Sequence, residues 1–191
     1  MPITNVLVAG VGGQGVVLAS ELLALAAIGA GHDAKQGEFH GVAQRGGSVF
    51  SHVRFGDRVF SPTTRRGEVD FLLALEKLEA LRYAHFVRED GMILVNDHEV
   101  EPIRTADTRP YPKGAVAFLK SKGFAVRTIK ATEIAVELGN HRAANTVMLG
   151  ALAEQLDIPD EIWDKTLEGR IPEGLLELNR KAFAMGRERG R

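Results

Sequence analysis

Cysteine is missing from all 191 residues of the chain. That absence removes disulfides, thiolate zinc sites, a thiol nucleophile and any iron–sulfur cluster held by the chain's own thiolates. An excess of one charge is missing too. Lys and Arg number 24 against 25 Asp and Glu, a formal charge of −1, which argues against a nucleic-acid partner and against an anionic membrane. Long apolar runs are scarce: Val16 to Ile28 is interrupted by Ser20 and Glu21 and is too short to span a bilayer. The start of the chain has no basic stretch of the signal-peptide kind. The expectation is a soluble, cytoplasmic protein. The six histidines form no H-E-x-x-H pair, and no G-x-S-x-G elbow occurs, so neither a metal site nor a serine nucleophile is expected.

What is present is ordinary globular material, 45% hydrophobic and 26% charged, and long enough to bury one core without staples. A single domain is expected. Its organising stretch is the beginning. Asn5 to Ala9 has strand character, Gly10-Val11-Gly12-Gly13-Gln14-Gly15 follows with G-x-G-x-x-G spacing, and an apolar helical run begins at Val16. Glycines permit positive φ in a tight strand-to-helix turn and let a ligand or another backbone come close. The helix start offers unpaired N–H groups that suit a phosphate or carboxylate. Strand, glycine turn and helix together read as the first βα unit of a Rossmann-like, doubly wound, mostly parallel α/β sheet. The helix is apolar almost all round, so both sides are covered, either by its own domain or by a partner chain.

A dinucleotide site needs a second apolar strand ending in an acid about 20 residues beyond the glycines. Here His32-Asp33-Ala34-Lys35-Gln36 is short and polar. Glu38 lies near the required distance without any mark of a ribose ligand, which counts against NAD or FAD. Ser48 to Ser61 alternates as an inserted β-hairpin with a turn at Gly56-Asp57. Strands follow at Val69 to Leu75, Met92 to Val95 and Phe124 to Ile129, with helices at Lys77 to Val87, Ala115 to Lys122, Thr132 to Leu138, Ala143 to Leu156 and Pro172 to Met185. Thr132 is placed as a helix cap. Gly150 inside its helix suggests close approach of another backbone. Asp97 to Lys113, with three prolines, reads as an irregular crossing.

Candidate chemistry gathers at the two glycine segments. Asp33, Glu38 and His40 make a conceivable acid–base group, and Arg45 can grip a carboxylate or phosphate with two N–H groups. The bland readings, loop residues bonded to backbone and a surface ion pair, stay open beside these. Gly10, Gly12, Gly13, Gln14 and Gly15 are candidate contacts for a phosphate, for CoA or for a partner.

The segments Gly10 to Gly15, Gly37-Glu38-Phe39-His40-Gly41-Val42-Ala43-Gln44-Arg45-Gly46-Gly47-Ser48-Val49, Ser51 to Gly56 and Asp70 to Glu76 resemble the gamma-type module of the 2-oxoacid:ferredoxin oxidoreductases. The run Glu79 to Tyr83, and Asn145-Thr146-Val147 before Leu149-Gly150-Ala151, are similar to the small (beta) subunits of the indolepyruvate branch. The resemblance covers nearly the whole chain, and the second glycine segment is its specific part. It implies oxidative decarboxylation of 2-oxoacids, here arylpyruvates such as indolepyruvate, to acyl-CoA with two electrons passed to ferredoxin. It also implies a large (alpha) subunit that carries thiamine diphosphate, Mg and the Fe-S clusters, with no cofactor in this chain. Gln14, Glu38, His40, Gln44 and Arg45 would then face the partner or the active-site entrance. The isolated chain is expected to be inactive and to form a homodimer. The rival readings are a stand-alone NAD- or flavin-dependent reductase and a pure assembly scaffold.

Overall fold

A computed structural model describes residues 2–40, 47–101 and 111–191, with the backbone alone for His40. The elements are β1 (Thr4–Val11), α1 (Val16–Gly29), β2 (Asp33–His40), β3 (Ser48–Gly56), β4 (Val69–Ala74), α2 (Lys77–Tyr83), β5 (Val87–Asn96), α3 (Ala115–Ser121), β6 (Ala125–Ile129), α4 (Ala131–Glu137), α5 (Ala144–Ala153), α6 (Asp160–Arg170) and α7 (Glu173–Gly190), with 3₁₀ turns at Ala84–Phe86 and His141–Ala143. Six strands make one sheet in the order β2-β3-β1-β4-β5-β6. β1, β4, β5 and β6 run parallel, and β3 runs antiparallel to both β1 and β2.

The strand sequences explain the layering. Val6, Leu7, Val8 and Ala9 are all fully buried, so β1 is apolar on both of its faces, as a central strand covered on two sides must be. Val6 and Val8 enter a core shared with α1 and α4 to α7. Leu7 and Ala9 enter a second core beneath α2 and α3. Helices on both faces make the sheet doubly wound.

The hairpin differs from its sequence reading. β3 pairs backwards with β2, Val53 opposite Gln36 and His40 opposite Val49, and no return strand forms after Gly56. The N–H of Val59 goes instead to the Asp33 carboxylate at 2.7 Å, and Phe60 lies exposed. The polar stretch from Asp33 is therefore a full edge strand, and its polarity suits an edge that must not recruit another chain.

Several boundaries also move. β5 begins at Val87 and runs through Asp90-Gly91. α7 continues to Gly190. Thr132 lies inside α4, whose N-cap position is Lys130. α6 has no counterpart in the sequence reading. It packs along α1, with a Cγ2 of Ile162 2.9 Å from where a Cβ on Gly29 would stand and with Trp163 and Leu167 buried. Much of the polar-free surface of α1 is thus covered within the chain, leaving Val17, Leu25 and Ile28 exposed. Gly150 does admit a neighbouring backbone, that of α7: a Cβ there would lie 2.1 Å from the Phe183 carbonyl oxygen. None of the described helices is long and apolar enough to cross a membrane.

Candidate functional site

Because β2 runs in the same direction as β1, the first glycine turn lies at the same end of the sheet as His40 and Gly47, the described residues on either side of 41–46. Ser48 pairs with Val11 at the end of β1, and the N–H of Gly12 donates to the Gly47 carbonyl at 2.8 Å. The first glycine turn is closed on itself. Val11 N–H donates to Gln14 Oε1 at 2.8 Å, and Gln14 N–H to the Val11 carbonyl at 3.0 Å. Gly15 sits at φ 82 as the N-cap of α1, and a Cβ on it would stand 2.2 Å from the Asn145 amide nitrogen. A Cβ on Gly10 would meet Val16 and Leu75. These two glycines therefore serve strand–helix packing and the approach of α5, and the turn's amides at Val11, Gly12 and Gln14 are committed inside the chain.

Beside the turn lies a crevice of about 270 Å³ across the carboxyl ends of the parallel strands, reached by Gly13 and Gln14 after β1, Leu75 after β4, Asn96 and His98 at β5 and Thr132 beyond β6, and closed by His141, Arg142 and Asn145 at the entry to α5. Helices leave β1 and β4 toward opposite faces of the sheet, so the crevice opens where the chain's connections diverge, the usual ligand position in open α/β sheets. Asn96 is buried and fixed: its Nδ2 donates to the Leu75 carbonyl at 3.2 Å and to Thr132 Oγ1 at 2.9 Å, and its Oδ1 accepts from Thr132 N–H at 3.3 Å. Asn145 Oδ1 accepts from Thr146 N–H at 2.8 Å, and its Nδ2 donates to the Gly15 carbonyl at 3.3 Å.

The opposite side of the same edge holds two buried carboxyls. Glu76 caps α2 by accepting from Glu79 N–H at 3.0 Å, and it accepts from Val100 N–H and the Tyr111 hydroxyl. Glu79 accepts from the Ser48 hydroxyl, which is 2.9 Å from the Tyr83 hydroxyl. Burial pushes the Glu79 carboxyl above its ordinary range, with the Ser48 bond and Arg82 opposing it. Burial likewise raises both tyrosines. A polar girdle thus joins Ser48, which follows the second glycine segment, to Tyr111, which follows residues 102–110.

The candidates named from sequence divide. Glu38 is exposed on β2 opposite Ser51, and its Oε1 accepts from Gln36 Nε2 at 3.3 Å. His40 ends the strand at the same edge as the glycine turn. Asp33 is at the far end of β2, bonded to Val59 N–H and Lys35. Five residues of strand, roughly 17 Å, separate it from Glu38, so the proposed Asp33–Glu38–His40 acid–base group does not form. Gln44 and Arg45 lie outside the described residues. Sequence reading missed the crevice lining at Asn96, Thr132, His141 and Arg142. Its one trace was the Asn96-Asp97 pair ending a buried strand.

This architecture defines a class: an open, doubly wound α/β module with a polar crevice at the carboxyl ends of its parallel strands. The chain belongs to the pyruvate ferredoxin/flavodoxin oxidoreductase family, whose model matches residues 5–189. It is 38% identical over 191 residues to indolepyruvate oxidoreductase subunit IorB of Archaeoglobus fulgidus, covering 95% of this chain and 92% of that one. With the IorB subunit of Pyrococcus horikoshii the identity is 33% over 188 residues, covering 95% and 93%. The solved gamma subunit of a keto/oxoacid ferredoxin oxidoreductase from Geobacter sulfurreducens superposes with a TM-score of 0.75 at 28% identity, covering 98% of each chain.

Enzymes of this family use thiamine diphosphate and iron–sulfur clusters. The described residues do not fit either group. Without cysteine there is no thiolate for a cluster, and the described residues contain no group of three or more metal-ligating side chains. A magnesium-bridged diphosphate calls for carboxylate ligands, and none of the described residues lining the crevice is Asp or Glu.

Proposed function

We propose that this chain is the small subunit of an indolepyruvate-type 2-oxoacid:ferredoxin oxidoreductase. In that reaction an arylpyruvate loses carbon dioxide, its acyl group passes to the sulfur of CoA, and the two electrons released go to ferredoxin. Thiamine diphosphate, Mg and the Fe-S clusters belong to a large (alpha) subunit, and this chain, a single domain, shapes the entrance beside them. The observation that carries the reading is the shared sheet edge, where the Gly10 to Gly15 turn and the ends of the second glycine segment lie together. On this reading Gln14, Glu38, His40 and Arg45 face the large subunit or the substrate cleft.

The test is a complex reconstituted with its large subunit. Arg45→Ala and His40→Ala should assemble normally yet lose about tenfold or more in turnover, the size of one charge-assisted contact. Unchanged kinetics would reduce the chain to a scaffold. A stand-alone NAD- or flavin-dependent reductase is disfavoured because the second strand is polar and carries no marked ribose ligand at its end, while the amides of Val11, Gly12 and Gln14 already have partners within the chain.

A further inference from the structure

The connection from β3 to β4 carries side chains for which the fold has no use. It leaves β3 at Gly56 and enters β4 at Val69, so it crosses the amino ends of β1 and β4, at the end of the sheet opposite the glycine turn. Its backbone is pinned. Arg54 Nη1 donates to the Ser61 and Thr63 carbonyls at 2.9 and 3.1 Å, Val59 N–H donates to Asp33 at 2.7 Å, and Pro62 lies 3.2 Å from where a Cβ on Gly37 would stand. Val59 and Thr64 are buried as anchors. Between them Phe60 is 79% exposed, more than any other large hydrophobic side chain among the described residues, and the Arg58 guanidinium sits 4.8 Å above its ring. Arg65 and Arg66 follow, both exposed. None of these three arginines has a carboxylate within ion-pair distance among the described residues. Asp33, which feels the Arg58 charge, is itself held by Val59 N–H and Lys35.

A single exposed apolar side chain is ordinary. An exposed ring with an arginine stacked on it, on a pinned segment beside two further unpaired arginines, has the composition of an interface hot spot. Three cationic groups without partners select an acidic surface. The chain's own formal charge of −1 opposes nucleic acid or an anionic membrane as the source of that acid, which leaves a protein. The patch is one segment, Asp57 to Glu68, smaller than the roughly 20–30 residues each partner gives to a stable interface and suited to a transient electron-transfer encounter. It also lies away from the carboxyl edge assigned above to the large subunit. We infer that the segment from Arg58 to Arg66 is a docking surface for the acidic electron-carrier protein that the complex reduces. Phe60 is the apolar anchor, and Arg58, Arg65 and Arg66 steer and orient the carrier. The acidic character of the partner follows from the segment itself; its identity as the electron carrier rests on the oxidoreductase reading.

The experiment uses the complex reconstituted with its large subunit and follows reduction of an acidic ferredoxin and, separately, of benzyl viologen, a small dye that needs no docking surface. The double variant Arg65→Glu/Arg66→Glu and the single variant Phe60→Ala should each raise the KM for ferredoxin about fivefold or more, with dye reduction and assembly as in the parent complex. The kcat/KM for ferredoxin should fall with added salt in the parent and less steeply in the charge-reversed variant, as a screened attraction requires. Phe60, Arg65 and Arg66 are exposed, and an unchanged circular dichroism spectrum confirms that each variant is folded. A ferredoxin KM unchanged in either variant, an equal loss with the dye, or failure to assemble with the large subunit would each overturn the inference. So would binding of the parent chain to phosphatidylserine vesicles that the charge reversal abolishes. A complex that reduces neither acceptor takes the oxidoreductase reading down as well, whereas dye reduction with an indifferent ferredoxin KM removes the docking surface alone.

Discussion

His52 lies in β3 within a ring of Phe39, Phe50 and Phe86 at centroid distances of 5.5, 5.6 and 5.6 Å, and its buried Nδ1 has no hydrogen-bond partner among the described residues. Burial, with a smaller contribution from the Arg54 charge, lowers its pKa from 6.5 to about 4. A histidine depressed in this way takes up a proton more readily unfolded than folded, so its linkage removes stability as pH falls from 6.5 toward 4. Its ring resonances should stay flat between about pH 7 and pH 5. The fall in Tm over the same interval should be smaller in His52→Phe than in the parent chain. An imidazole titrating near 6.5 would refute the burial argument. Glu76 makes a second residue-level prediction. It caps α2 and accepts from Tyr111 and Val100, so Glu76→Ala strands buried donors and should cost about 2–4 kcal/mol in urea denaturation. Tyr111→Phe should cost about 1 kcal/mol.

Among elements, α5 and α7 are held together by glycines. A Cβ on Gly186 would stand 1.9 Å from the Val147 carbonyl oxygen, and one on Gly190 would stand 2.5 Å from that of Ala151. Both obstacles are backbone and cannot rotate away, so Gly186→Ala must push the helices apart. About 3 kcal/mol or more of lost stability is expected, measured by denaturant midpoint; a loss under 1 kcal/mol would mean that the helices are not seated this closely. The same scale shows what was legible beforehand. β1, β4 and β5 announce themselves because a strand buried on both faces must be apolar throughout, and Gly150 pointed correctly to a close neighbour. The hairpin misled because Gly56-Asp57 looks like a two-residue turn, whereas the true partner of β3 is a polar edge strand without an apolar alternation to reveal it. α6 was readable after all: Asp160 and Glu161 stand at its start, Trp163 and Leu167 are four residues apart, and Arg170 closes it. The crevice was not readable, because its side chains come from segments as far apart in sequence as Gln14 and Asn145, which only the parallel topology brings to one edge.

At the scale of the whole molecule, the carboxyl edge and the exposed Val17, Leu25 and Ile28 of α1 are surfaces suited to a neighbour. A homodimer of the isolated chain would cover part of this surface, and light scattering should show its mass rising with concentration and reverting to monomer once the large subunit binds. The central claim is that the chain contributes shape and polar contacts to chemistry performed on another polypeptide. It is tested most directly by giving the purified chain indolepyruvate, CoA and ferredoxin, first alone and then with the large subunit. The account predicts no ferredoxin reduction by the chain alone and reduction when both are present; steady reduction by the solitary chain would contradict it.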